Sequence, residues 1–182
     1  MLKTENTSES WEWHTTFIDS LMQHNYRLYY IIDSLFQNND FHSVVEIGTG
    51  CGALTTVLGL WGIKLDIPVI SIDIETKHNK KIFDTLHINF LKLDEFSLEA
   101  KEKITSSIGD KSTLLICDGG LKKWEFNTFA SLTPINSIIG VHDWGVECIY
   151  EDIKDTIVEY CRAYQESRWN EMNVQFATFK RK

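Results

Sequence analysis

Five short apolar runs, separated by segments of helical periodicity, constrain the fold more than any other feature of this sequence. Each run is rich in Val, Ile and Leu and lacks a regular polar alternation, which is typical of strands covered on both faces. The runs lie at residues 43–47, 67–72, 88–93, 113–117 and 137–141, and the helical segments at 53–60, 76–86, 97–108 and 123–132. This alternation predicts a doubly wound, mostly parallel sheet of the α/β class.

The regions before and after these runs complete one structural domain. Helical spacing over residues 15–37 predicts an N-terminal helical segment, residues 1–40, that packs on the site or covers it. Residues 41–182 are predicted to form the α/β domain, which ends with a helix over 147–164 and a strand over 172–180. With 182 residues, of which 43% are hydrophobic, the chain can fill one core and is too short for two.

Composition argues against several classes of partner. The formal net charge is −8 and Lys and Arg form no dense run, so a nucleic-acid-binding surface is not expected. No stretch approaches the roughly 20 apolar residues that a membrane span needs, and the polar N-terminus lacks the apolar core of a signal peptide. The four cysteines stand far apart, which indicates neither a disulfide framework nor a zinc site. We therefore expect a cytoplasmic protein that binds a small molecule.

An acidic residue ends or follows every predicted strand. In parallel sheets of this class, ligands bind in the crevice outside the carboxyl ends of the strands. The acidic residues at these ends are Glu46, Asp73, Asp94 with Glu95, Asp118 and Asp143. They are therefore expected to line one site.

Three glycines at alternate positions, Gly48, Gly50 and Gly52, follow the first predicted strand. Residues without a Cβ adopt positive φ and let a ligand approach the backbone, so these glycines predict a binding turn between a strand and a helix. With Ala53 they fit the dinucleotide pattern G-x-G-x-x-[GA], and with Glu46 they fit E-x-G-x-G-x-G. A dehydrogenase that uses NAD normally adds a substrate domain, for which the chain has no residues left.

Residues 41–144 resemble the class I S-adenosylmethionine-dependent methyltransferases. The E-x-G-x-G-x-G string matches their first motif, and "VISIDIE", "NFLKLDEF", "LLICDGGLKKWEF" and "IIGVHDWG" follow in the order of the family. The last two strings are similar to the catechol O-methyltransferase and cephalosporin-hydroxylase-like branch. The pattern D-G-G-x-K followed by H-D-W is also similar to small bacterial and phage methyltransferase-like proteins.

The resemblance implies S-adenosyl-L-methionine as the cofactor and a methyltransferase that acts on an oxygen of a small-molecule or sugar-like acceptor. It implies that Asp73 accepts hydrogen bonds from the ribose hydroxyls and that Asp94 holds the adenine amino group. The residues implied to bind the cofactor are Glu46, Gly48, Gly50, Gly52, Asp73, Asp94 and Asp118. A non-catalytic module that binds the cofactor is the alternative, and an NAD-binding oxidoreductase is a less favoured one.

In the catechol branch two carboxylates at the fourth and fifth strand ends hold a divalent cation. By resemblance, Asp118 and Asp143 would be the ligands of Mg²⁺ or another divalent cation, which would lower the pKa of the acceptor hydroxyl. Trp144 stands where that branch has a carboxamide, so one ligand is missing or comes from elsewhere. His142 is the alternative as a general base, and the catalytic candidates are Asp118, His142 and Lys122.

The aromatic residues suggest further contacts with a ligand or a partner. Trp11 and Trp13 lie outside any apolar period and are interpreted as part of a lid or as a homodimer contact. Trp124 and Trp144 follow the last two strand ends and are candidates for lining the acceptor site.

The remaining histidines and the C-terminus carry weaker signals. Five histidines have no companions at metal-ligand spacing and are expected to be surface or packing residues. They are His14, His24, His42, His78 and His87. The family usually ends in an antiparallel hairpin, which here is expected to be shortened, with a short strand near residues 168–169 or none.

Overall fold

A computed structural model describes residues 3–4, 15–18, 20–22, 24–164 and 174–182. The elements in chain order are β1 (Lys3–Thr4), β2 (Thr15–Phe17), β3 (Ser20–Met22), α1 (Leu28–Asn38), β4 (Ser43–Ile47), α2 (Ala53–Leu65), β5 (Val69–Asp73), α3 (Lys80–Thr85), β6 (Asn89–Lys92), α4 (Leu98–Ile108), β7 (Thr113–Cys117), α5 (Lys122–Phe129), β8 (Ile138–His142), α6 (Tyr150–Tyr160), β9 (Cys161–Ala163) and β10 (Phe176–Arg181). A short 3-10 helix, Ala130–Leu132, extends α5.

The sheet has seven strands in the order β6-β5-β4-β7-β8-β10-β9. Strands β4 to β8 are parallel, and β10 runs antiparallel to both β8 and β9. This architecture confirms the prediction of a doubly wound, mostly parallel α/β sheet.

The register of the central strands brings their carboxyl ends to one level. Ile47, the last residue of β4, pairs with Cys117 at the end of β7, and Cys117 pairs with Val141 of β8. The residues that follow these pairs therefore leave the sheet side by side. Asp118 and His142 become neighbours for this reason, although 24 positions separate them in the sequence.

The core occupies both faces of the sheet. Val44 packs in one buried cluster with α1, α2 and α3, and Val45 packs in a second cluster with α4, α5 and α6. Adjacent residues of a strand point to opposite faces, so the unbroken apolar run of β4 is what a doubly covered strand requires. Strand β6 departs from this expectation because it is the edge strand and its residues are half-buried or exposed.

The predicted helix over residues 15–37 is wrong in its first half. Strands β2 and β3 form an antiparallel hairpin with Phe17 opposite Ser20, and Ile18 between them has a φ of +47°. The β-branched Thr15 and Thr16 favour strand, and the side chain of Asn25 accepts a hydrogen bond from Arg27 N in the turn that precedes α1. The residues that favour strand and turn thus determine the structure here, although the spacing of the apolar residues predicts a helix.

The C-terminal hairpin is short. Helix α6 ends at Tyr160 rather than 164, and the backbone of Cys161 is already extended, with φ −129° and ψ 172°. The three residues of β9 then pair with β10, from Phe179 opposite Ala163 to Arg181 opposite Cys161. The strand suggested near residues 168–169 lies outside the described residues.

Within the described ranges, none of the helices has the length and apolarity to cross a membrane.

Replacing Gly48 should test how closely the turn after β4 packs against the rest of the sheet. A Cβ at Gly48 would lie 2.3 Å from the backbone oxygen of Asp118, and its φ is +91°. We expect Gly48→Ala to lower the free energy of unfolding by about 2–5 kcal/mol, since positive φ costs about 1–2 kcal/mol and overpacking about 1–3 kcal/mol. Urea denaturation measures this change.

Gly120→Ala is the matched control. A Cβ there would meet no atom within 4 Å. Its effect should stay within about 0.5 kcal/mol, as for other unobstructed surface changes. Equal effects of the two substitutions would contradict the proposed close contact.

Candidate active site at the carboxyl edge of the sheet

The turn between β4 and α2 is shaped by its three glycines. Gly48, Gly50 and Gly52 have φ values of +91°, +51° and +82°. Gly50 N donates a hydrogen bond to Asp73 Oδ2 at 2.8 Å, and Gly48 N donates to Ile72 O at 2.8 Å. The turn is thus held against the end of β5, with its backbone at the edge where a ligand would bind.

Glu46 lies beneath this turn and is fully buried. Its Oε2 accepts hydrogen bonds from Thr55 and Ser71, both at 2.5 Å, which join β4 to α2 and β5. Its Oε1 is buried and has no hydrogen-bond partner among the described residues. Burial raises the pKa of Glu46 to about 8, against the two hydrogen bonds, which lower it.

Asp73 and Asp94 stand at neighbouring strand ends but differ in their surroundings. Asp73 is half-buried, and its Oδ1 accepts a hydrogen bond from Glu75 N in addition to the one from Gly50. Asp94 is exposed, and its side chain accepts a hydrogen bond from Phe96 N. The structure therefore places both at the expected edge, with Asp73 nearer to the glycine turn.

Asp118 lies between two histidines. His24 Nε2 donates a hydrogen bond to Asp118 Oδ2 at 2.8 Å, and His142 Nδ1 lies 3.1 Å from Asp118 Oδ1. The two imidazole rings meet edge to face with centroids 4.1 Å apart. Side-chain exposure is 13% for His24, 9% for Asp118 and 10% for His142, so the cluster is nearly closed to solvent.

Lys122 forms a second layer beside this cluster. Its ammonium donates hydrogen bonds to Gly119 O at 2.8 Å and Glu147 at 2.7 Å, and lies 3.1 Å from Asp143 and 4.0 Å from Asp118. The Lys122 side chain is only 5% exposed. It therefore joins the loops after β7 and β8 from the inside rather than facing solvent.

Opposite charges set the pKa values of this cluster. Burial alone would raise the pKa of Asp118, but the neighbouring His24 and His142 outweigh it and hold the pKa well below its usual range. Burial would lower the pKa of His142, but Asp118 and Asp143 outweigh it and raise the pKa to about 9. The buried carboxylate is thus stabilised as an ion by its two imidazole neighbours.

Glu125, on α5, shapes the loop that follows Asp118. Its carboxylate accepts hydrogen bonds from Gly119 N at 3.2 Å and Leu121 N at 3.1 Å. A Cβ at Gly119 would lie 2.5 Å from Glu125 Oε1, which explains the glycine after Asp118. Glu125 fixes the backbone on which Asp118 and Lys122 depend.

The donor set does not fit Mg²⁺ between Asp118 and Asp143. His142 Nδ1 lies within 3.2 Å of a carboxylate oxygen of each, and the ammonium of Lys122 lies beside the same two side chains. Mg²⁺ prefers six oxygen ligands and retains several waters. A dication between Asp118 and Asp143 would be repelled by the ammonium of Lys122, and Trp144 offers no oxygen ligand, so these residues do not fit Mg²⁺.

The structure brings the three predicted catalytic residues together and adds one. Asp118, His142 and Lys122 form a contiguous cluster with Asp143, as their positions at adjacent strand ends indicated. The expectation that His24 has no companions at metal-ligand spacing was wrong. Its partner Asp118 lies 94 positions away, so only the tertiary structure shows the contact.

Of the four tryptophans singled out in the sequence, the structure describes two, one exposed and one packed against the core. Trp124 is 56% exposed, which is compatible with lining an acceptor site. Trp144 packs with Phe179 at a centroid distance of 5.4 Å and belongs to the periphery of the core. Trp11 and Trp13 lie outside the described residues.

Several solved structures share this fold. A structure of CmcI with Mg and SAM matches with a TM-score of 0.72 and 12% identity, over 91% of this chain and 75% of that one. A Staphylococcus aureus protein described as a caffeoyl-CoA O-methyltransferase matches with a TM-score of 0.58 and 15% identity, over 87% and 84%. The SAH-bound methyltransferase PaMTH1 of Podospora anserina matches with a TM-score of 0.58 and 9% identity, over 84% of this chain and 76% of that one.

At these identities the likeness concerns the fold. The chain has the α/β fold of these solved methyltransferases, which confirms at that level the resemblance to class I enzymes. No protein-family model matches the sequence, and none of the curated proteins matches it. Activity and substrate therefore have to be argued from the site.

The buried carboxyl of Glu46 predicts a specific pH dependence of stability. Its pKa is raised from 4.5 to about 8 on folding, so it stays protonated in the folded chain while the unfolded chain ionises. The contribution of Glu46 to stability is therefore greatest below pH 4.5 and falls between pH 4.5 and about 8. We expect Glu46→Gln to gain roughly 2–4 kcal/mol relative to wild type between pH 4.5 and pH 8, measured by urea denaturation.

The exposed Glu99→Gln serves as the control, since Glu99 lies on the surface of α4. Its difference from wild type should not change over the same interval. If the difference between Glu46→Gln and wild type is also constant, Glu46 ionises normally and the interpretation fails.

Proposed function

We propose that this protein is an S-adenosylmethionine-dependent methyltransferase that acts on an oxygen of a small-molecule or sugar-like acceptor. One observation carries the proposal: the glycine turn packs directly against the backbone of Asp118, the centre of the histidine cluster. A nucleoside on the turn would therefore lie beside groups that exchange protons. Transfer of a methyl group to a hydroxyl needs this combination.

The edge of the sheet suits a nucleoside that carries a positively charged sulfur. Asp73 has lone pairs left for ribose hydroxyls after its bonds to Gly50 and Glu75, and Asp94 is exposed at the end of β6 and available to an adenine amino group. Below the turn, Glu46 offers a buried oxygen that has no hydrogen-bond partner in the described part of the chain. The glycine backbone leaves room for close approach because a side chain at these positions would be strained.

The transfer itself is an in-line displacement at carbon. The acceptor oxygen attacks the methyl carbon, the carbon–sulfur bond breaks, and its electron pair stays on sulfur to give neutral S-adenosylhomocysteine. Holding the reactants in line can contribute about 7–11 kcal/mol. Among the protein's own groups, His142 is the candidate for taking the hydroxyl proton, with Asp118 orienting the ring. Its pKa is raised to about 9, so only the neutral fraction of His142 can act as the base, and such a base contributes about 10²–10⁴-fold.

Lys122 acts in this proposal as a positioning residue. Its ammonium is occupied by Gly119 O, Asp143 and Glu147, which fix the loops that carry Asp118 and His142. His24 reaches Asp118 from just before α1 and covers one side of the cluster. The exposed side chains of Leu121 and Trp124 lie next to Lys122 in the sequence and supply apolar surface for an acceptor.

Cofactor binding is the first test. We expect calorimetric titration to show binding of S-adenosylhomocysteine and no binding of NAD. Asp73→Ala should weaken that binding about 10–150-fold, since a hydrogen bond to a charged group is worth about 1.5–3 kcal/mol. Asp155→Ala, an exposed change on α6, is the control and should bind as wild type does. Tighter binding of NAD than of S-adenosylhomocysteine would contradict the proposal.

Turnover is the second test. We expect S-adenosylhomocysteine to be released when the protein is incubated with S-adenosylmethionine and a library of hydroxylated acceptors. His142→Gln should lower kcat by about 10²–10⁴-fold while its affinity for S-adenosylhomocysteine stays within about twofold, because the imidazole acts on the acceptor. Cofactor binding without release on any acceptor would instead support a non-catalytic binding module.

A further inference from the structure

We infer that His24, Asp118 and His142 form a binding site for a first-row transition-metal dication. The site differs from a magnesium site in its ligands, two imidazoles and one carboxylate, and in drawing His24 from the N-terminal segment rather than from a strand end. The inference concerns the centre of the proposed active site, but it rests on the geometry of these side chains and not on methyl transfer.

The three side chains have the spacing of metal ligands. One potential ligand atom from each residue lies within 4.8 Å of the other two. Around a dication with bonds of about 2.0–2.2 Å, ligand atoms stand roughly 3–4 Å apart, so small side-chain rotations complete the geometry. Three protein ligands with a remaining open position are typical of catalytic metal sites and not of structural ones.

The chemistry of the ligands selects the class of metal. Imidazole nitrogen suits zinc, iron, copper and nickel, whereas Mg²⁺ prefers oxygen. Two histidines with one carboxylate also occur in non-haem iron sites and, with zinc, in metalloproteases. The ligands of the cluster therefore favour a transition metal. Asp143, the second ligand expected for Mg²⁺, is instead paired with the ammonium of Lys122.

The charges around the cluster favour a dication as well. The carboxylates of Asp118, Asp143 and Glu147 lie around one ammonium, that of Lys122, so these four groups carry a net charge of −2 when both imidazoles are neutral. Two neutral imidazoles and a dication compensate this charge without burying an unpaired ion.

One imidazole nitrogen is close to the carboxylates without being hydrogen-bonded. His142 Nδ1 is buried and lacks a hydrogen-bond partner within the described part of the chain, although oxygens of Asp118 and Asp143 lie 3.1 and 3.2 Å away. A nitrogen near a carboxylate but misaligned for a hydrogen bond is compatible with a shared ion. In a site that holds the metal, His24 and His142 would be ligands, and the metal would supply the Lewis acidity that lowers the pKa of an acceptor hydroxyl.

Cobalt(II) binding tests the inference on the full chain without a histidine tag. Co²⁺ absorbs visible light when bound to imidazole and carboxylate, so titration reports both stoichiometry and affinity. We expect one Co²⁺ per wild-type chain, displaced by equimolar Zn²⁺ but not by a thousandfold excess of Mg²⁺. His24→Ala and Asp118→Asn should each weaken Co²⁺ binding at least tenfold. His42→Ala, an exposed histidine at the opposite edge of the sheet, should bind as wild type does.

The outcomes separate this inference from the proposed function. No stoichiometric Co²⁺ in the wild type, unchanged affinity in both ligand variants, or displacement by Mg²⁺ as readily as by Zn²⁺ overturns the metal site. Circular dichroism checks that the variants are folded, and His24→Gln replaces His24→Ala should the latter unfold. A titration with S-adenosylhomocysteine on the same samples shows whether the cofactor proposal stands or falls independently.

Discussion

The close approach of the glycine turn to the loop after β7 is the constraint on which the rest of the site depends. Gly48 lies so near the backbone of Asp118 that a Cβ would stand 2.3 Å from its oxygen. The contact follows from strands β4 and β7 ending at the same level, with Ile47 opposite Cys117. Because β4 and β7 are paired, the positions of their ends are fixed relative to each other. The ligand-binding turn and the ionisable cluster therefore cannot move apart without breaking this pairing.

Burial of Asp118 at that point creates a second requirement. A carboxylate with 9% exposure has lost most of its hydration, which is costly unless cationic or hydrogen-bonding partners replace the water. His24 and His142 supply these partners directly, and Lys122 compensates Asp143 and Glu147 in the next layer. The cluster is thus held together by the need to neutralise buried acids, and the same need makes it receptive to protons or to a metal ion.

Residues whose position is set by neighbouring strands were predictable from the sequence, and residues brought in by distant contacts were not. The apolar runs predict β4 and β7 with their observed bounds, and register then places Asp118 beside His142. The contact of His24 with the cluster could not be predicted, because its partner Asp118 lies 94 positions away in the sequence. The helix expected over 15–37 failed for a related reason, since helical spacing of apolar residues does not exclude a hairpin with a tight turn at Ile18.

The contact between His24 and Asp118 ties the residues just before α1 to the chemistry of the site. His24 precedes α1, whose apolar face packs on the sheet, so this part of the chain is held by the core and by a buried hydrogen bond. Loss of the His24 contact would remove one of the two imidazole partners from a buried carboxylate, which is costly unless another partner replaces it. A cationic ligand that reaches Asp118 could offset this cost. Binding of a cation at Asp118 is for this reason expected to be thermodynamically linked to the contact that His24 makes.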